Sequence, residues 1–89
     1  MRFEWDEEKR LINLEKHQID FKDAQDLFDG RDVVESESTY EFETRKQRTG
    51  YVEERMVTAV WTPRDDAIRI ISVRSARDAE KRNYRELYG

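Results

Sequence analysis

Arg69-Ile70-Ile71-Ser72-Val73-Arg74 decides the fold, together with the segment that follows it, Ser75 to Tyr88. Ile70, Ile71 and Val73 favour a pleated, half-buried strand. Strict alternation puts Ile70, Ser72 and Arg74 on one face and Arg69, Ile71 and Val73 on the other, so the two arginines are expected to point opposite ways. Ser75 is a capping residue with Asp78 three positions on. Ala79, Glu80, Tyr84 and Leu87 then recur at helical spacings, which predicts a helix starting directly after the strand.

The opening of such a helix carries unpaired N–H groups and partial positive charge, and Arg74 and Arg77 flank it. Glu80 and Tyr84 lie four apart on one side, so a carboxylate, a phenol and two guanidiniums share a neighbourhood. That combination suits acid–base work on an anion. The plainer alternative is that Glu80 only pairs with Arg74 or Arg77 while Tyr84 packs in the core.

Eighty-nine residues, 36% hydrophobic and 43% charged, are enough for a single domain spanning 1–89 with little redundancy in its core. The absence of cysteine excludes disulfides and thiolate metal sites and suits a reducing cytoplasm. No apolar run is long enough for a membrane span, and the start does not resemble a signal peptide, so a cytoplasmic protein is expected. With three glycines in all, neither a phosphate-binding glycine loop nor a dinucleotide fingerprint can be built, and no cofactor is expected. His17 is the one histidine and lacks a second imidazole with ligand spacing, so no metal site is expected.

The net charge of −4 conceals two halves of opposite sign. Residues 1–43 hold six Lys/Arg against fourteen Asp/Glu, a balance of −8, whereas residues 44–89 hold eleven against seven, a balance of +4. Nine of those eleven are arginine, the side chain that grips phosphate or carboxylate with a planar fork. A basic surface for a polyanion is therefore compatible with an acidic total.

In chain order, Arg2 to Asp6 reads as a short strand or lead-in and Asp6 as the cap of a helix from Glu7 to Lys16, with Leu11, Leu14 and Ile12 inward. A second helix is expected over Phe21–Phe28, ended by Asp29-Gly30. Val33-Val34 opens a short strand, and the acidic stretch Glu35–Glu43 reads as an exposed hairpin or loop. Glu43–Val52 is charged on both sides, which suggests an edge strand or a binding surface, while Met56–Thr62 is apolar on both and suits the centre. Pro63 to Asp66 reads as a turn before the quoted strand returns. The expectation is an α+β domain: two N-terminal helices, a small antiparallel β-sheet and a C-terminal helix.

The chain resembles a known family at both ends. Phe3-Glu4-Trp5-Asp6, Lys9, Asn13-Leu14, Lys16-His17, Ile19, Phe21 and Ala24 are similar to the opening signature of the BrnT toxins. Thr62, Arg64, Arg69-Ile70-Ile71-Ser72, Arg74, Ala76, Glu80 and Tyr84 are similar to the closing one. Gln18 stands where that family usually has glycine, and Glu35–Glu43 is atypical. The resemblance implies a RelE-like ribonuclease toxin of a type II toxin–antitoxin system. It also implies a BrnA-like ribbon-helix-helix antitoxin partner, through which alone the toxin would meet DNA.

Metal-independent RNA cleavage needs removal of the 2′-OH proton, stabilisation of the charged transition state and protonation of the departing 5′-oxygen. With one histidine, a histidine pair is impossible. Glu80 is then the expected base, Arg74 the first electrostatic group with Arg69 or Arg64 next, and Tyr84 or His17 the proton donor. Arg45, Lys46, Arg48, Arg64 and Arg77 are expected to hold RNA phosphates without reading bases. The rival reading is a non-catalytic basic binding module, or a degenerate toxin kept as antitoxin partner and co-repressor.

Overall fold

Val57, Ala59 and Trp61 alternate with Met56, Thr58 and Val60 along one strand, and both sets find cover, which places that strand in the middle of the sheet. The computed structural model describes residues 1–89, apart from the Tyr40 side chain. Its elements are β1 (Arg2–Glu4), α1 (Glu7–His17), a 3₁₀ segment (Asp23–Phe28), β2 (Val34–Tyr40), β3 (Glu43–Val52), β4 (Arg55–Arg64), β5 (Ala67–Ser75) and α2 (Asp78–Tyr88). The sheet order is β1-β5-β4-β3-β2. Strands β2 to β5 form an antiparallel meander, but β1 joins β5 in parallel, so this α+β sheet is mixed rather than purely antiparallel.

Several expectations are corrected by neighbours that the local pattern does not reveal. Strand β3 is not an edge, because the acidic stretch pairs along it as β2, residue for residue from Val34↔Thr49 to Tyr40↔Glu43. Pro63 and Arg64 belong to β4, and the turn is only Asp65-Asp66. The expected second helix is a 3₁₀ segment instead. Phe21, Ala24 and Leu27 are buried at strict three-residue spacing, the period at which 3₁₀ side chains eclipse. Asp20 starts that turn by accepting from the Lys22 N–H at 2.9 Å.

Helix α1 departs most from its pattern. Asp6 caps it as expected, accepting from the Lys9 N–H at 3.2 Å. Yet Leu11 and Ile12 are 53% and 57% exposed, while Asn13 directly after them is 7% exposed. The inward side is Arg10, Asn13 and His17. Beyond Arg69, β1 no longer covers the edge of β5, and Asn13 takes its place: its amide donates to the Val73 carbonyl at 2.9 Å and accepts from the Val73 N–H at 3.2 Å. A second bond to the Ile19 carbonyl at 3.2 Å ties in the loop after α1.

The two faces of the sheet are then distinct. One packs Val57, Ala59, Trp61, Ile68, Ile70 and Val73 on Ile19, Phe21, Ala24 and Leu27. The other is covered by α2 only at one end, through Met56, Ala76, Tyr84 and Val34. Gly50 marks a close approach on the first face, since a Cβ there would meet Leu27 Cδ2 at 3.0 Å and the Asp32 carbonyl at 3.1 Å.

Candidate active site on the open face of the sheet

A break in register sets the site. Strand β5 pairs Thr62↔Arg69 and Trp61↔Ile70, then Val60↔Ser72 and Thr58↔Arg74, so Ile71 is one residue extra on β5. Residues directly opposite in a sheet share a face, and Thr58, Val60 and Thr62 alternate onto one side of β4. Arg69, Ser72 and Arg74 therefore lie together. This corrects the expectation that the two arginines point opposite ways, and it explains how Ile70 and Val73 enter the same core cluster.

Arg74 is held on that face by a bidentate pair, Nη1 to Glu80 Oε1 at 2.8 Å and Nη2 to Oε2 at 3.0 Å. Glu80 also accepts from the Arg77 N–H at 2.7 Å and from the Thr58 hydroxyl at 3.0 Å. Because Thr58 donates to Glu80, the Thr49 hydroxyl, 2.7 Å away, donates to Thr58. Burial pushes the Glu80 carboxyl up, but Arg74, the Arg77 N–H and Thr58 together outweigh it and bring the pKa down to about 2. Helix α2 begins at Asp78 because Glu80 closes back on the Arg77 N–H; Ser75, the expected cap, ends β5 and accepts from Arg55 at 2.6 Å.

The other expected residues divide between the two faces. Arg69 and Arg64 lie near Glu4, with Glu4 Oε1 3.9 Å from Arg69 Nη1 and 3.7 Å from Arg64 Nε. Arg45 shares a side of β3 with Gln47, whose partner is Val60, so it too belongs to the arginine face. Lys46 and Arg48 do not, because they pair with Trp61 and Ala59 on the core side. Arg48 is structural: it stacks 4.2 Å from the Phe28 ring, pairs with Glu35 at 2.6 Å and donates to the Leu27 carbonyl at 3.2 Å. Lys46 lies 5.4 Å from the Trp61 ring and 3.7 Å from Glu37.

Tyr84 is a core residue, as the plainer alternative had it. Its ring packs on Tyr51 at 5.5 Å and Tyr88 at 4.9 Å, and burial, followed by the Asp32 charge, raises its pKa. Arg77 sits exposed at the start of α2. His17 ends α1 and lines a groove of about 300 Å³ with Lys9, Ile12, Asn13, Lys16, Ile71 and Ser72. Ser72 belongs to both the groove and the arginine face, so the groove is continuous with it. Lys9, Lys16, Thr49, Thr58 and Glu4 were not singled out from sequence as site residues.

The description "ribonuclease toxin, BrnT, of type II toxin-antitoxin system" belongs to a family model that matches residues 5–80. The chain belongs to the BrnT family. No curated protein gives a significant match. In BrnT terms, the matched stretch contains Arg74, Glu80, Arg69 and His17 and stops short of Tyr84. A BrnT chain is a ribonuclease toxin with a protein antitoxin as its partner.

Proposed function

We propose that this BrnT protein, acting in the cytoplasm as one RelE-like domain over residues 1–89, cleaves RNA on the arginine face without a metal ion. We also propose that a BrnA-like ribbon-helix-helix antitoxin neutralises it. The observation that carries the reading is the guanidinium of Arg74, clamped by Glu80 at the α2-covered end of the arginine face, which the His17 groove meets at Ser72.

In this mechanism the ribose 2′-oxygen loses its proton and attacks phosphorus, Arg74 stabilises the charge that builds on the phosphoryl oxygens, and the 5′-oxygen leaves with a proton. Glu80 fits the base role poorly, because both its oxygens are engaged and its pKa is about 2. It acts as a positioning residue for Arg74. Tyr84 fits poorly as donor because it is buried with Met56 and Ala76. Proton transfer falls to His17, the side chain whose chemistry serves as acid or base. Arg45, Arg64, Arg69 and Arg77 steady the RNA backbone.

Purified protein incubated with RNA and EDTA tests this. Cleavage should persist, and Arg74→Ala and His17→Ala should each slow it by about 10²-fold or more. Normal cutting by Arg74→Ala would sink the assignment. Salt-dependent binding that leaves RNA intact would favour the non-catalytic module.

A further inference from the structure

The arginine face has a second anionic anchor at the end remote from Glu80. Strand β1 pairs with β5 only from Ala67 to Arg69, so its last residue, Glu4, stands beside Arg69 on the sheet. One oxygen, Oε1, lies 3.7 Å from Arg64 Nε and 3.9 Å from Arg69 Nη1. Both separations exceed hydrogen-bond length, and that same oxygen is buried without any hydrogen-bond partner. The carboxylate thus attracts both guanidiniums without occupying their N–H donors. Arg74 is the contrast, since it commits two donors to Glu80.

Two guanidiniums drawn to one half-buried carboxylate, with donors unspent, suit an incoming oxyanion with several acceptors. Arg64 remains 61% exposed and can meet it from solvent. The Arg64–Arg69 pair is also too far from Arg74 to share a phosphate. The β4 partners of Arg69 and Arg74, Thr62 and Thr58, are four residues apart, about 13 Å at ~3.3 Å per residue.

We propose that Arg64 and Arg69 form a second phosphate subsite for the RNA backbone and that Glu4 is its positioning residue. This rests on the reading that the face receives RNA. The substrate is then a single strand of several nucleotides lying along β4 and β5, and a dinucleotide with one phosphate engages only one of the two grips.

The test is binding of a 2′-O-methylated RNA octamer and of a 2′-O-methylated dinucleotide, neither of which offers a 2′-hydroxyl nucleophile. Wild-type protein should prefer the octamer. The octamer-to-dinucleotide affinity ratio should fall about tenfold in Glu4→Gln and in Arg64→Ala, the loss of one charge-assisted contact. Arg64 is exposed, so its variant keeps the test valid if Glu4→Gln folds poorly. A ratio within twofold of wild type in Arg64→Ala, or no octamer preference in the wild type, overturns the subsite. Failure of wild-type protein to cut unmodified RNA, with the ratio behaving as described, overturns the ribonuclease reading alone.

Discussion

Glu80 links the stability of the C-terminal helix to the posture of Arg74. Its folded pKa of about 2 lies below the 4.5 of an ordinary glutamate, so its stabilisation is fully present above about pH 5 and is lost as pH falls from 4.5 toward 2. Discounting for the solvent that reaches the pair, the contribution is about 1–2 kcal/mol. Urea melts of wild type and Glu80→Gln should therefore differ by that amount at pH 7 and converge near pH 2; a gap that persists at pH 2 would contradict the ionic origin. Gln18 offers a test of the opposite sign. It ends α1 with φ of 56°, the left-handed conformation glycine adopts freely, and its side chain recovers part of the cost by donating to the Glu15 carbonyl at 2.7 Å. Gln18→Gly should raise stability by about 0.5–1 kcal/mol, read as a higher melting temperature.

At the level of elements, what the sequence made legible follows from how local each signal is. The β-branched alternation of Met56–Thr62 and the run Ile70–Val73 located β4 and β5, and Asp6 located the start of α1. The β5 bulge was not legible, because period-two counting assumes that no residue is extra, and only pairing with β4 shows Ile71 to be so. That single residue decides whether Arg69 and Arg74 share a face. The orientation of α1 was misread for a related reason: its leucines fit an inward stripe, but the exposed edge of β5 needs hydrogen-bonding groups, and Asn13 supplies them. Asn13→Leu should accordingly destabilise the fold by about 2–4 kcal/mol, although leucine is the more apolar residue, because it strands the N–H and C=O of Val73. Chemical denaturation checks this, and a neutral or stabilising outcome would mean that Asn13 does not cap the strand.

For the whole molecule, the opposed charges of the two halves acquire a spatial meaning. The acidic first half supplies Glu35 and Glu37, which pair with Arg48 and Lys46 on the core side of the sheet and remove those two cations from the field available to RNA. Glu4 and Glu80 lie on the other face and orient arginines there. On the proposed reading, RNA meets few cations, far fewer than the seventeen Lys and Arg in the sequence. If Arg45, Arg64, Arg69, Arg74 and Arg77 each neutralise about one phosphate, the logarithm of affinity should fall with the logarithm of salt at a slope of about −3.5 for a single strand. Binding titrations of a 2′-O-methylated octamer between 50 and 300 mM salt, about the range where such slopes are read, distinguish this from a diffuse attraction. Lys46→Gln should leave the slope unchanged, whereas Arg64→Gln should make it shallower by about 0.7. A slope that responds equally to both substitutions would place the RNA over the whole sheet and not on the arginine face.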